Sequence, residues 1–186
     1  MTVAEARSSG AERAPERLAR LRSRASDALP SPATVAFGSP AWGLVVALAA
    51  LAGIWRQNGL ATLNLLAMGS AYFYGGCLGF GPALWLTRLT SDGRGRIVRF
   101  LAGAVFSACS THLATAGIFA LQYRVYYAHW HADFPSVVWF FQLGFTSAGA
   151  VFSFTVASLA FYWPFSCLAI AAFGLWFAVP GGSKAH

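Results

Sequence analysis

YRVYYAHWHADFP, residues 123–135, packs His129, His131 and Asp133 into five positions and surrounds them with Tyr123, Tyr126, Tyr127, Trp130 and Phe134. Read as a metal or haem centre, the stretch makes the chain an enzyme. Read as the place where a membrane helix meets water, it separates two spans. The flanking runs favour the boundary. Ile97 to Gln122 carries one charge, Arg99 near its start, and residues 136–179 carry no acid or base at all. At 1.5 Å per residue a single helix over 136–179 would measure about 66 Å, roughly twice a bilayer core. The chain therefore has to turn. FYWPF (161–165) is the expected place, because Pro164 cannot continue a helix cleanly.

Composition points the same way. The 186 residues are 57% hydrophobic and 10% charged, where a soluble domain carries about 25% charged residues, so lipid is the expected solvent. The net charge of +7 is not a nucleic-acid footprint, because of where it lies. Arg7, Arg13, Arg17, Arg20, Arg22 and Arg24 precede the first apolar run, and Arg88, Arg94, Arg96 and Arg99 cluster between two others. That distribution follows the positive-inside rule of polytopic membrane proteins. Cys77, Cys109 and Cys167 lie far apart in apolar runs, with no CxxC, and read as packing residues.

The expected fold is an all-α integral membrane bundle of about five transmembrane helices. Four crossings plus a re-entrant or interfacial C-terminal helix is the alternative. Residues 1–34 form a basic, mobile N-terminal tail, in which ERLARLRSR (16–24) could lie as a short helix on the membrane surface. Residues 35–180 form the transmembrane domain and 181–186 a C-terminal tail. The spans are Val35–Trp55, Leu60 to about Leu86 (tilted, or broken near Pro82), Ile97–Gln122, the run from 136 to the FYWPF turn, and a short last span over 165–179. The tail and the 87–96 loop share one side of the membrane. RQNG (56–59) and 123–135 face the other, where five crossings would also put the C-terminus.

Small residues recur every four positions in three spans. They are Ala67, Ala71, Gly75, Gly79 and Ala83, then Gly103, Ser107, Thr111 and Thr115, then Gly149, Ser153 and Ala157. On a helix each set is one ridge. In lipid, where apolar area alone does not hold helices together, such ridges let backbones approach closely. They are expected at helix contacts, within the chain or with other subunits. Gly75, Gly76, Gly79 and Gly81 are no phosphate loop, since the setting is apolar and no Lys follows.

The spans hold few strongly polar groups: Asn64, His112 and Gln142. All six acids, Glu5, Glu12, Glu16, Asp27, Asp92 and Asp133, lie outside them, which argues against a self-sufficient pump or proton-coupled carrier. His112 is about 25 Å along a continuous helix from His129, so a two-histidine haem site within the chain is not expected. His129, His131 and Asp133 share a face only if the segment is extended, and no further ligand is visible for a metal. The reading preferred for the stretch is an interfacial belt made by Tyr123, Tyr126, Tyr127, Trp130 and Trp139. Ser147 in GFTSAGA reads as a packing residue, not a nucleophile.

The expected function is a non-catalytic accessory or assembly subunit of a multi-subunit membrane complex, energy-transducing and of respiratory type, that packs helices and lipid without a cofactor. Its partners are membrane lipids and other membrane subunits, not nucleic acid. A bacterial or mitochondrial inner membrane is the expected location. The alternatives are a small carrier or flippase for an apolar or lipid-linked substrate and, third, a membrane enzyme using His112 or the His129–Asp133 cluster.

Overall fold

The computed structural model describes residues 19–58 and 65–179, and these are helical, with no strand among them. The helices are α1 (Pro32–Asn58), α2 (Leu65–Ser91), α3 (Arg96–Tyr127), α4 (Val137–Tyr162) and α5 (Phe165–Ala178). A 3-10 turn, Ala128–Trp130, extends the end of α3. Local chemistry sets several of these boundaries. The Ser31 hydroxyl accepts the Thr34 N–H (3.2 Å), with Pro32 opening α1 where its missing N–H costs nothing. Ser136 does the same for α4 by accepting the Trp139 N–H at 3.1 Å. Gly93, at φ 68°, supplies the left-handed residue of the turn between α2 and α3.

Among the described residues, three helices are long and apolar enough to cross a membrane: Pro32–Gln57, Arg96–Trp130 and Val137–Ser158. α2 has the length but dilutes its apolar run with Gly, Ser, Tyr and Thr. α5, at 14 residues, rises only about 21 Å, short of a ~30 Å hydrocarbon core.

α2 lies between α1 and α3 and packs by different glycines on its two sides. A Cβ on Gly79 would stand 2.7 Å from the Thr111 Cα of α3, and one on Gly76 would stand 2.7 Å from the Gly43 Cα of α1. Both neighbours are backbone and cannot yield. Pro82 does not interrupt α2, which runs on to Ser91, so of the two alternatives for this long span, tilt or a break, the break is absent. A helix held on two sides by close backbone contact tolerates the one missing N–H. The core around this centre joins Trp42, Val46 and Ile54 of α1, Tyr72, Phe80 and Leu84 of α2, Phe154 of α4, and Phe173 and Phe177 of α5.

The path of α4 and α5 departs from the expected hairpin. The helix does end at FYWPF, but the chain does not reverse there. α4 starts beside the C-terminal end of α3, where Arg124 lies over the Trp139 ring at 5.4 Å. It then passes Phe119 of α3 and Tyr72 of α2 through Phe154, with ring centroids 5.5 and 5.9 Å apart. Just beyond its end, the Trp163 carbonyl accepts a hydrogen bond from Arg56 of α1 (3.1 Å). From there α5 enters the groove between α1 and α3. Ser166 and Ile170 lie near Val46 and Ala108, Phe173 is 4.9 Å from Trp42, and Gly174 meets Phe100 and Gly103. Along α3, contacts thus move from Arg124 to Phe100 as the chain runs from Trp139 to Phe177. Relative to α3, both helices of this uncharged run head toward Phe100, with a sideways step at FYWPF. An oblique α4 takes up the excess length without a turn-back.

At the opposite end, residues 19–27 are helical, and α1 already takes in 32–34, so the first membrane helix starts inside the expected tail. Trp85 Nε1 donates to the Ala25 carbonyl (2.8 Å) and Ala28 is buried, so this part of the N-terminal segment is docked on α2.

Candidate functional site

Two regions hold the residues singled out by sequence: the interior ridges, and the end of the bundle formed by residues 123–142. In the interior, Ala71, Gly75, Gly79 and Ala83 are buried, as are Gly103, Ser107, Thr111 and Thr115. The two ridges face one another, Gly75 on Thr115 and Gly79 on Thr111, while Gly103 meets Gly174 of α5 with a Cβ-to-Cα separation of 3.1 Å. Ala67 is exposed near the start of α2.

The third ridge is different. Gly149, Ser153 and Ala157 are exposed, and nothing lies within 4 Å of a Cβ built on Gly149. The face that α4 buries is one residue on, at Ala150, Phe154 and Ser158. This ridge makes no helix contact within the chain, because the bulky Phe154 proves the better filler against Tyr72, Phe119 and His112.

The buried hydroxyls are largely satisfied inside their own helices. Thr87 donates to the Ala83 carbonyl (2.7 Å), Ser91 to Thr87 (2.6 Å) and Thr115 to Thr111 (2.8 Å). Among the described residues, two threonine hydroxyls also accept a bond from another helix. Trp42 Nε1 donates to Thr111 Oγ1 (2.9 Å), joining α1 to α3. His112 Nε2 lies 3.1 Å from Thr155 Oγ1, joining α3 to α4. The Thr155 hydroxyl already spends its proton on the Val151 carbonyl (2.8 Å), so it accepts here and His112 Nε2 donates. A protonated Nε2 held this way is a strut between helices, and that nitrogen has no lone pair to offer a haem iron.

At the 123–142 end, α3 continues five residues beyond the expected span, so Tyr123, Tyr126 and Tyr127 are helical. The rings stack on each other: Tyr123 on Tyr127 at 4.4 Å, Tyr127 on Trp130 at 5.3 Å, Tyr126 on Trp130 at 5.7 Å. Trp139 joins through Phe134 at 4.8 Å and through Arg124 above its face. His129 is exposed and packs on Trp130 at 3.8 Å, His131 is half-buried, and Asp133 is exposed. Among the described residues, no three His, Cys, Asp or Glu side chains come together as a metal site would need. Gln142, a polar residue inside the fourth run, accepts the Ala132 N–H at 2.8 Å and ties the loop down. Asn64 lies outside the described residues.

Below this aromatic end, on the outer surface, a cleft of about 420 Å³ opens between α2, α3 and α4. Leu78, Leu113, Gly117 and Leu121 line it, with Ser147 on α4 and Arg124 at the aromatic end. Sequence reading missed it, since Gly117 belongs to no ridge. The one available signal was an arginine a single turn beyond an apolar, glycine-containing helix face. Compared with known proteins, the chain matches no family model, no curated protein and no solved structure.

Proposed function

We propose that this chain is a non-catalytic subunit of a multi-subunit assembly in an energy-transducing inner membrane, holding helices and lipid in place. It crosses the bilayer four times, α4 and α5 together making a broken last crossing. The outer face of α4 carries the argument. Gly149, Ser153 and Ala157 line up there with exposed Phe145, Phe152 and Val156, on an apolar helix that buries little within its own chain. In lipid, a small-residue line between bulky side chains is the shape a neighbouring helix fits. The interior supports the same reading, since Thr111 and His112 brace neighbouring helices through Trp42 and Thr155.

The carrier or flippase reading has one observation in its favour, the cleft beside Arg124. The cleft covers only the half of α3 from Leu113 to Arg124. Beyond it, Thr111 and Gly103 are closed against Gly79 and Gly174. A path across the membrane would have to open those backbone contacts.

Mild-detergent purification followed by mass spectrometry tests the subunit role. Stoichiometric partner polypeptides that are shed by Ser153→Leu are the expected result. A chain that purifies alone, unaffected by that change, refutes the role. Cysteine labelling in a cysteine-free background tests the crossings. Val179→Cys should label from the side that labels Arg94→Cys, while labelling from the side of Asp133→Cys would restore five crossings.

A further inference from the structure

We infer that the cleft on α3 holds one acyl chain of an anionic glycerophospholipid, whose phosphate sits at Arg124. This rests on the membrane reading above and not on the subunit role. Length is the first argument. From Leu113 to Arg124 the cleft runs eleven residues along α3, about 16 Å of helix rise. Half of a hydrocarbon core is roughly 15 Å, so the cleft matches one leaflet and ends at its headgroup level. The ring stack of Tyr123, Tyr126, Trp130 and Trp139 stands at that same level, where amphipathic rings collect.

Chemistry along the cleft is graded as an amphiphile is. Leu78, Leu113 and Leu121 are each more than half exposed, which costs nothing only against an apolar occupant. Arg124 closes the polar end. No described residue accepts a hydrogen bond from Arg124 or pairs with it. Its one partner among the described residues is the Trp139 ring, 5.4 Å away, a contact that uses none of its N–H donors in a hydrogen bond. A phosphate takes two such parallel N–H bonds, a geometry that a lone ammonium cannot match. The charged side chains described at this end are Arg56, Arg124 and Asp133. Asp133 is exposed and makes no ion pair with either arginine, so the local balance favours an anion. A partner helix would instead be drawn to the ridge on α4, because it would have to bury Arg124 without an acid to meet it.

Gly117 makes the site testable without breaking the fold. A Cβ built there meets nothing within 4 Å and Gly117 lines the cleft, so a larger side chain starts in the space the acyl chain would occupy, and it improves helix propensity. The full chain, stripped of lipid in mild detergent, is titrated with dioleoylphosphatidylglycerol or dioleoylphosphatidylcholine and read by native mass spectrometry. The expected result is one tightly retained phosphatidylglycerol per chain, preferred over phosphatidylcholine. Arg124→Gln should weaken it about fivefold, as one interfacial cation does, and Gly117→Leu should abolish it at an unchanged melting temperature. Arg96→Gln, at the far end of α3, is the control and should change nothing. Equal retention of both lipids, or retention surviving Gly117→Leu, overturns the inference. So does a co-purifying polypeptide that Gly117→Leu removes while phosphatidylglycerol stays. Loss of partner subunits with lipid binding intact would count against the proposed function alone.

Discussion

α2 and α4 carry the same sequence device and use it differently. Both repeat small residues every four positions. On α2 the repeat is buried, with Gly79 against the Thr111 backbone and Gly75 against Thr115. On α4 the repeat is open, and Phe154, one position further on, takes the inward place. Spacing therefore says only that a face can be approached closely. Whether the chain itself or another molecule approaches it depends on which face of the helix offers the better-filled core. α2 lies between two helices and buries both its ridge and the large side chains one position further on, Tyr72, Phe80 and Leu84, whereas α4, among its described residues, buries only the line of Ala150, Phe154 and Ser158.

The sharpest way to break this contrast is Gly79→Leu. Its Cβ alone would collide with backbone, so we expect destabilisation of about 3 kcal/mol or loss of folding, read as a lower melting temperature in detergent. If Gly79→Leu melts like wild type, the α2–α3 contact is wrong.

Trp42→Phe probes the same interior more gently. It removes the N–H given to Thr111 and leaves that oxygen to its other neighbours, so we expect a loss of about 1 kcal/mol by denaturant titration. An unchanged midpoint would mean that the α1–α3 bond contributes nothing.

Gly149→Leu is the counterpart of Gly79→Leu on the open ridge. With nothing near its Cβ, the isolated chain should change by less than about 0.5 kcal/mol while any co-purifying partner is lost. A fall in the melting temperature of the isolated chain comparable to that of Gly79→Leu would erase the difference between the two helices.

The smallest effect is expected at the aromatic end. Replacing His129 and His131 together with Ala should leave the melting temperature nearly unchanged, and elemental analysis should find the same metal content before and after. A stoichiometric metal lost with the two histidines would turn the belt into a site.

Much of this was legible in the chain. The apolar runs located the helices, since twenty or so uncharged residues have few options besides a bilayer helix. The facing ridges of α2 and α3 were readable because close backbone approach demands small residues at helical spacing. The preference for a boundary at His129–Asp133 rested on three groups that share a face only when extended, with no fourth ligand in view. The cleft was not legible, since an empty space between three helices has no residue type of its own.

What the sequence determined by itself is therefore the solvent, the helical class and the positions where helices can touch. All three follow from local composition and from the 3.6-residue repeat. Only the tertiary structure decided that α5 continues the descent of α4 and does not turn back, that His112 braces α3 against Thr155, and that the α4 ridge faces outward. The physical reason is common to all three. A proline ends a helix without saying where the next one points, and a polar or small residue permits contacts without choosing among them. The choice is made by what fills the groove between α1 and α3, and Ser166, Phe173, Gly174 and Phe177 fill it.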